Sequence, residues 1–180
     1  MRHGRTDANA QGLMCGGDWD IELNAEGRSQ VDQAVEKFLK INNTELPTAI
    51  CSSPMKRTLQ SAEPIAKQFK IPLIQVEELR EWRVGDWESK PWGEVPDPFS
   101  TTRDPANGET RMSFEERVIH GVSKGLKMKG PILFVAHGAV WHALTKPLKI
   151  DLTRIPNASP VFVELVVTGL EAKWQIKLIE

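Results

Sequence analysis

The sequence predicts an α/β fold, a three-layer sandwich with a mostly parallel central sheet flanked by helices. Two observations carry this expectation. Short apolar runs that read as buried strands alternate along the chain with stretches of helical periodicity. The 180 residues, 40% hydrophobic and 26% charged, suit one domain, residues 1–180, with one sizeable core.

Asn24 is placed to cap a helix in which Val31, Ala34, Val35, Phe38 and Leu39 recur at helical spacing, with Asn42 and Asn43 ending it. "PTAICSS" reads as a buried strand through Ile50. Ser53-Pro54 then reads as an N-cap followed by proline at the first helical position. Met55, Leu59, Ala62, Ala66 and Phe69 form one stripe, and Pro64 inside that helix should kink it. "IPLIQV" is the second strand. Glu88 to Arg111 is rich in proline, glycine, serine and threonine and reads as a long surface excursion of the kind that forms substrate loops. Ser113 to Glu116 is a capping-box pattern ahead of Phe114, Val118 and Val122. "PILFVAHG" is a third buried strand ending at His137, followed by a short helix through Leu144. Val161 to Val167 and Trp174 to Leu178 flank Thr168-Gly169 as a final strand pair. Trp174, Ile176 and Leu178 alternate there with polar residues.

Composition narrows the function classes. The net charge is −1 and no basic run is present, so there is no electrostatic case for a nucleic acid or an anionic membrane. The longest apolar stretch, Ile132 to Ala136, is far too short to span a bilayer. Cys15 and Cys51 make no disulfide framework and read as reduced thiols of a cytoplasmic protein. No cysteine and histidine cluster has zinc-ligand spacing, so no metal and no cofactor is expected.

Open α/β sheets bind ligands beyond the carboxyl ends of their strands. Ser52, Ser53 and Arg57 come directly after the first predicted strand, Glu78, Arg80 and Glu81 after the second, and His137 and Gly138 after the third. Arg2 and His3 stand at the front of the chain. Arg57 and Lys56 lie in the first turn of a helix, where the macrodipole disfavours cations, and an anion at that end would resolve the conflict. Taken alone, Arg57 reads equally well as a solvated arginine. His137 reads more readily as a satisfied strand-end histidine, and Glu81 as one of a solvated cluster with Glu77, Glu78, Arg80 and Arg83.

Together these residues sit in blocks that resemble the histidine phosphatase superfamily, the phosphoglycerate-mutase-like proteins and in particular their small bacterial phosphatases. "RHGRTDAN" is similar to its R-H-G-x-[ST]-x-x-N opening, "SSPMKRTLQSAEPIA" to its S-S-P-x-x-R helix, and "ELREWRVGDWES" to its L-x-E-x-x-x-G-x-W-E segment. "NGETRMSFEERV" is similar to its G-E-[ST] stretch and "VAHGAV" to its late histidine-glycine strand end. The matches come in family order and cover nearly the whole chain.

The resemblance implies a hydrolase of small-molecule phosphomonoesters that works without metal. His3 would accept the phosphoryl group, Arg2 and Arg57 would hold it, and His137 would bind a non-bridging oxygen. Asn9 and Gly138 would complete the phosphate pocket. Glu81, with a raised pKa, would protonate the leaving alkoxide and then activate water. His120 and His142 match no motif position and read as structural or surface. Trp82, Trp87 and Trp92 offer an apolar wall for the leaving group or plain packing, with packing favoured for Trp87. Alternatives are mutase-type phosphoryl transfer, a phosphohistidine-protein phosphatase, and a non-catalytic phosphoanion-binding module. The substrate class stays open among sugar phosphates, nucleoside phosphate precursors of cobalamin and other phosphomonoesters. The final strands leave an edge able to pair with a second copy, so a homodimer is compatible with the sequence.

The chain departs from the family pattern at its front. The family's buried strand before R-H-G is missing, with only Met1 ahead of Arg2. The open readings are a start that lies upstream, a shortened chain, or a sheet without that strand. Each buried aliphatic side chain contributes roughly 1.5–3 kcal/mol. An unfilled slot is therefore costly, and the expectation is that another segment fills it or that "RHG" is displaced.

Overall fold

The computed structural model describes residues 1–41, 46–97, 100, 103–150, 155–168 and 171–178. In chain order it contains α1 (Asp7–Ala10), α2 (Ala25–Leu39), β1 (Ala49–Ser52), α3 (Lys56–Phe69), β2 (Leu73–Gln75), α4 (Arg111–Leu126), β3 (Ile132–Val135), α5 (Gly138–Leu148), β4 (Val161–Thr168) and β5 (Glu171–Leu178). The strands β2-β1-β3 form a parallel sheet, with Ile50 opposite Leu73 and Leu133. β4 and β5 pair antiparallel as a separate two-stranded sheet.

Strand periodicity divides the core. Successive side chains point to opposite faces. Ile50, Leu133 and Val135 pack with Phe38 of α2 and with Ala62 and Ile65 of α3. Cys51, Ile132 and Phe134 face the other way, onto Phe114 and Val118 of α4 and Val140 and Ala143 of α5. The result is the three-layer α/β arrangement that the sequence predicts.

Several boundaries differ from expectation. Asn24 does cap α2, its side chain accepting from Gly27 N at 2.9 Å, but Leu39 of the predicted stripe is exposed. Asn42 and Asn43 lie outside the described residues. β1 continues to Ser52 because Val76 N donates to Ser52 O, extending the sheet past Ile50. Met55, not Ser53, caps α3, because Ser53 is drawn back onto the sheet through its N–H to Val135 O. α3 runs from Lys56 to Phe69 through Pro64. Thr110, not Ser113, caps α4, accepting from Ser113 N. α5 extends beyond Leu144 to Leu148, and β5 begins at Glu171, ahead of Trp174. Cys15 and Cys51 are free thiols. No helix among the described residues is long and apolar enough to cross a membrane.

The triplet Arg2-His3-Gly4 is not displaced. Ala136 N donates to Met1 O and His3 N donates to Ala136 O, both at 3.0 Å, so that Arg2 forms a parallel bridge with Ala136 at the end of β3. On the other flank Ala158 N donates to Arg2 O at 3.0 Å. Hydrogen bonds from both flanks thus hold the segment at His3 in line with the sheet, which is enough to overturn the expectation of displacement. Backbone packing helps: a Cβ on Gly4 would lie 2.5 Å from Gly27 O, so the chain and α2 approach as closely as glycine allows.

Candidate active site

The parallel strands aim their carboxyl ends at one region, and the turns after them deliver the candidate side chains there. His3 is held by its main chain: Asn157 Nδ2 donates to His3 O at 2.9 Å, and Gly4 N donates to Ser61 Oγ at 2.9 Å. Its ring Nδ1 lies 2.7 Å from Gly4 O. A carbonyl only accepts, so Nδ1 carries the hydrogen and Nε2 keeps its lone pair.

His137 comes after β3 and stands at the N-cap of α5. Its ring centroid is 5.3 Å from that of His3, with a 60° tilt. His137 Nε2 meets Ser53 Oγ at 2.9 Å, while Nδ1 is buried with no hydrogen-bond partner among the described residues. Burial holds both imidazoles well below the usual histidine range, and the Arg57 charge adds to this in each. Both rings are therefore neutral.

Arg57 is 1% exposed. Its Nη1 donates to Trp19 O at 2.9 Å and its Nη2 to Gly16 O at 3.1 Å, while Nε has no partner among the described residues. The two carbonyls satisfy hydrogens but supply no counter-charge. Among the described residues no carboxylate forms an ion pair with this guanidinium. A buried cation in that state is stabilised by an anion. The anion expected at the N-terminus of α3 is partly internal, since Asp20 Oδ1 accepts from Lys56 N at 2.8 Å.

Glu81 is buried, whereas Glu77 and Arg83 of the same segment are exposed and engaged with Arg80 and Asp18. The segment is therefore no uniform solvated cluster. Burial raises the Glu81 pKa, opposed by a hydrogen bond from Trp82 N, 3.0 Å from Oε1, and by the Arg57 and Arg2 charges.

Arg2, His3, Asn9, Glu81, His137 and Gly138 line one cavity of about 640 Å³. Arg57 stands behind its wall, close enough for its charge to act on His3, His137 and Glu81. Asn9 accepts on Oδ1 from Thr6 N and Asn157 Nδ2, leaving Nδ2 as its donor. Gly138 opens α5 beside Arg2, whose Nε would lie 3.9 Å from a Cβ there. Trp82 and Trp92 line the cavity, and Trp87 packs in the core as expected. His120 is exposed, whereas His142, carried on α5, lies on the cavity wall. The described residues contain no group of three or more His, Cys, Asp or Glu that could hold a metal.

Sequence reasoning missed Asn157, Ser61, Arg117 and Glu109. Ser61, Glu109 and Arg117 lie inside the motif blocks quoted above but their contacts to the site span long sequence separations, and Asn157 lies outside every block.

Comparison with known proteins gives the family and the fold. The family described as "Histidine phosphatase superfamily (branch 1)" matches residues 1–173. The chain is 32% identical to the "Uncharacterized phosphatase PhoE" of Bacillus subtilis (strain 168), over 98% of this chain and 90% of that protein. It is 32% identical to the "Metal-independent phosphoserine phosphatase" of Arabidopsis thaliana, over 80% of this chain and 65% of that protein. The fold matches a mycobacterial glucosyl-3-phosphoglycerate phosphatase solved in complex with VO3. That match has a TM-score of 0.78 at 26% identity and covers 98% of this chain and 94% of that one.

Proposed function

The chain belongs to the histidine phosphatase superfamily, branch 1, and from that premise we propose that it hydrolyses phosphomonoesters, without metal, through a phosphohistidine on His3 with Glu81 as proton donor. The observation that carries this reading is the pairing of two buried imidazoles 5.3 Å apart, their pKa values lowered by burial, with a buried guanidinium that has no carboxylate partner among the described residues. Such a site is electron-rich at one nitrogen and positive around it, which suits attack on a phosphate ester.

In the reaction the lone pair of His3 Nε2 forms the N–P bond as the ester P–O bond breaks. Arg2 and Arg57 balance the charge of the transferring phosphoryl group. His137, accepting at Nε2 from Ser53 Oγ, donates from Nδ1 to a non-bridging oxygen. Asn9 Nδ2 and the backbone N–H of Gly138 at the start of α5 add donors. Glu81, whose pKa is raised by burial, gives its proton to the leaving oxygen. It then takes a proton from water, which attacks phosphorus and releases inorganic phosphate from His3. The VO3 complex of the mycobacterial relative and the metal-independent activity named for the Arabidopsis relative support the same chemistry here. A protein that only bound phosphate would need the arginines but would gain nothing from a buried Glu81 with a raised pKa.

The test is turnover of p-nitrophenyl phosphate with EDTA present, by the protein and by His3→Ala, with radiolabelled phosphate trapped by acid-free denaturation. Turnover that survives EDTA, a label on the parent and neither in the variant is the expected result. Turnover abolished by EDTA, or retained in His3→Ala, would overturn the reading.

A further inference from the structure

We propose that Arg117 is a positioning residue for proton transfer: paired with Glu109, it fixes the turn from which Glu81 reaches the cavity. This rests on the assignment of Glu81 as the acid given above.

Every guanidinium hydrogen of Arg117 is used. Nε and Nη2 grip the Glu109 carboxylate, each at 2.7 Å. The remaining donors go to main-chain carbonyls of one turn: Nη1 to Glu78 O at 2.9 Å and Arg80 O at 2.7 Å, and Nη2 to Glu81 O at 3.1 Å. The side chain rises from α4 with its guanidinium carbon over the Phe114 ring, 4.9 Å from its centroid. Side-chain exposure is 22% for Arg117 and 12% for Glu109, so the pair is largely withdrawn from solvent.

The same partner controls the other side of Glu81. Glu109 O accepts from Trp82 Nε1, and Glu109 N donates to Arg83 O, both at 2.8 Å. Trp82 N in turn donates to the Glu81 carboxylate. The position of that carboxylate therefore depends on the main chain of residues 81 and 82, and Arg117 with Glu109 holds that chain at both ends. Arg117 does not line the cavity and touches no reacting atom. Its effect passes through Glu81. Lysine cannot replace it, since an ammonium lacks the planar fork that serves a carboxylate and three carbonyls at once.

A displaced acid matters in proportion to how much the leaving oxygen needs a proton. p-Nitrophenolate leaves readily without one, whereas the alkoxide of glycerol 2-phosphate does not. The experiment compares kcat/KM for these two esters in the parent, Arg117→Lys, Glu109→Gln and Glu81→Gln, with folding monitored by circular dichroism. A misplaced catalytic group costs on the order of 10²-fold. Arg117→Lys is expected to lose about that on glycerol 2-phosphate and much less on p-nitrophenyl phosphate, as Glu81→Gln does. Glu109→Gln, a gentler change that stands in if Arg117→Lys does not fold, shifts the ratio the same way. Equal losses on both esters in the folded Arg117 or Glu109 variants, with Glu81→Gln still selective, would overturn the proposal and leave the acid assignment standing. No selectivity in Glu81→Gln would overturn both.

Discussion

His137 Nε2 and Ser53 Oγ lie 2.9 Å apart, joining the turn after β3 to the turn after β1. A hydroxyl can donate or accept, and the proposed role of His137, donating from Nδ1, requires Ser53 Oγ to donate to Nε2. Ser53→Ala removes that donor. A buried hydrogen bond is worth about 1 kcal/mol net, so kcat on p-nitrophenyl phosphate should fall several-fold. Ser53→Thr should retain more of the activity than Ser53→Ala, and equal losses would argue against the role of the hydroxyl.

The pH profile should carry two separate signatures. His3 must be neutral to attack, and burial, then the Arg57 and Arg2 charges, lower its pKa. The acid limb of kcat/KM should therefore lie well below the usual 6.5. Arg57→Gln, which removes one of these charges, should move that limb upward while weakening phosphate binding. Glu81 must be protonated, and its pKa is raised by burial. Turnover of alkyl phosphates should fall as pH climbs through that raised value, and Glu81→Gln should abolish this limb.

Stability should show the same two histidines with a definite sign. Their folded pKa values are lowered, so between those values and 6.5 the unfolded chain binds protons that the folded protein does not. Stability is then complete above about 6.5 and is lost as pH falls below it. The slope contributed by each ring is at most about 1.4 kcal/mol per pH unit. Urea midpoints from pH 7 downward should fall less steeply in a His3→Gln, His137→Gln double variant. An unchanged slope would assign the acid sensitivity to other groups.

Gly16 is a point where a single methyl should disturb phosphate binding. A Cβ there would lie 2.5 Å from Val84 Cγ2 and 2.7 Å from Trp82 O, and Gly16 O is a partner of Arg57. Gly16→Ala should destabilise by about 1–3 kcal/mol, the usual cost of overpacking. It should also raise the inhibition constant of inorganic phosphate. Gly93→Ala, with open space around it, is the matched control and should change neither.

Inorganic phosphate should stabilise the protein if the cavity binds the anion. Excess ligand at a hundred times Kd adds about 2.7 kcal/mol. Thermal melts with and without phosphate should separate for the parent and coincide for a variant lacking both Arg2 and Arg57.

Much of this protein is legible before any fold is known. Alternation of apolar strands and amphipathic helices sets the layer order, since Ile50 and Cys51, adjacent in sequence, must face opposite sides of a sheet. The residues His3, Arg57, Glu81 and His137 are legible as a set because each lies in a segment with a recognisable pattern. Local pattern is weaker at boundaries. Ser53 reads as a helix cap but is claimed by β3, and Ser113 reads as a cap but is preceded by Thr110. At Ser53 a bond formed elsewhere in the fold outweighs a local preference worth about 1 kcal/mol, and at Ser113 an equally local cap three residues earlier takes precedence.

By itself, then, the sequence determined the α/β class, the two faces of the sheet and the chemical inventory of the site. These come from periodicity and residue type, which are local. Only the tertiary structure decided that Arg57 is buried without a carboxylate partner among the described residues, that Glu81 alone of its charged segment is withdrawn from water, and that Arg117 reaches across from α4 to hold it. Burial and charge pairing are properties of what surrounds a side chain, and those surroundings come from residues tens of positions away.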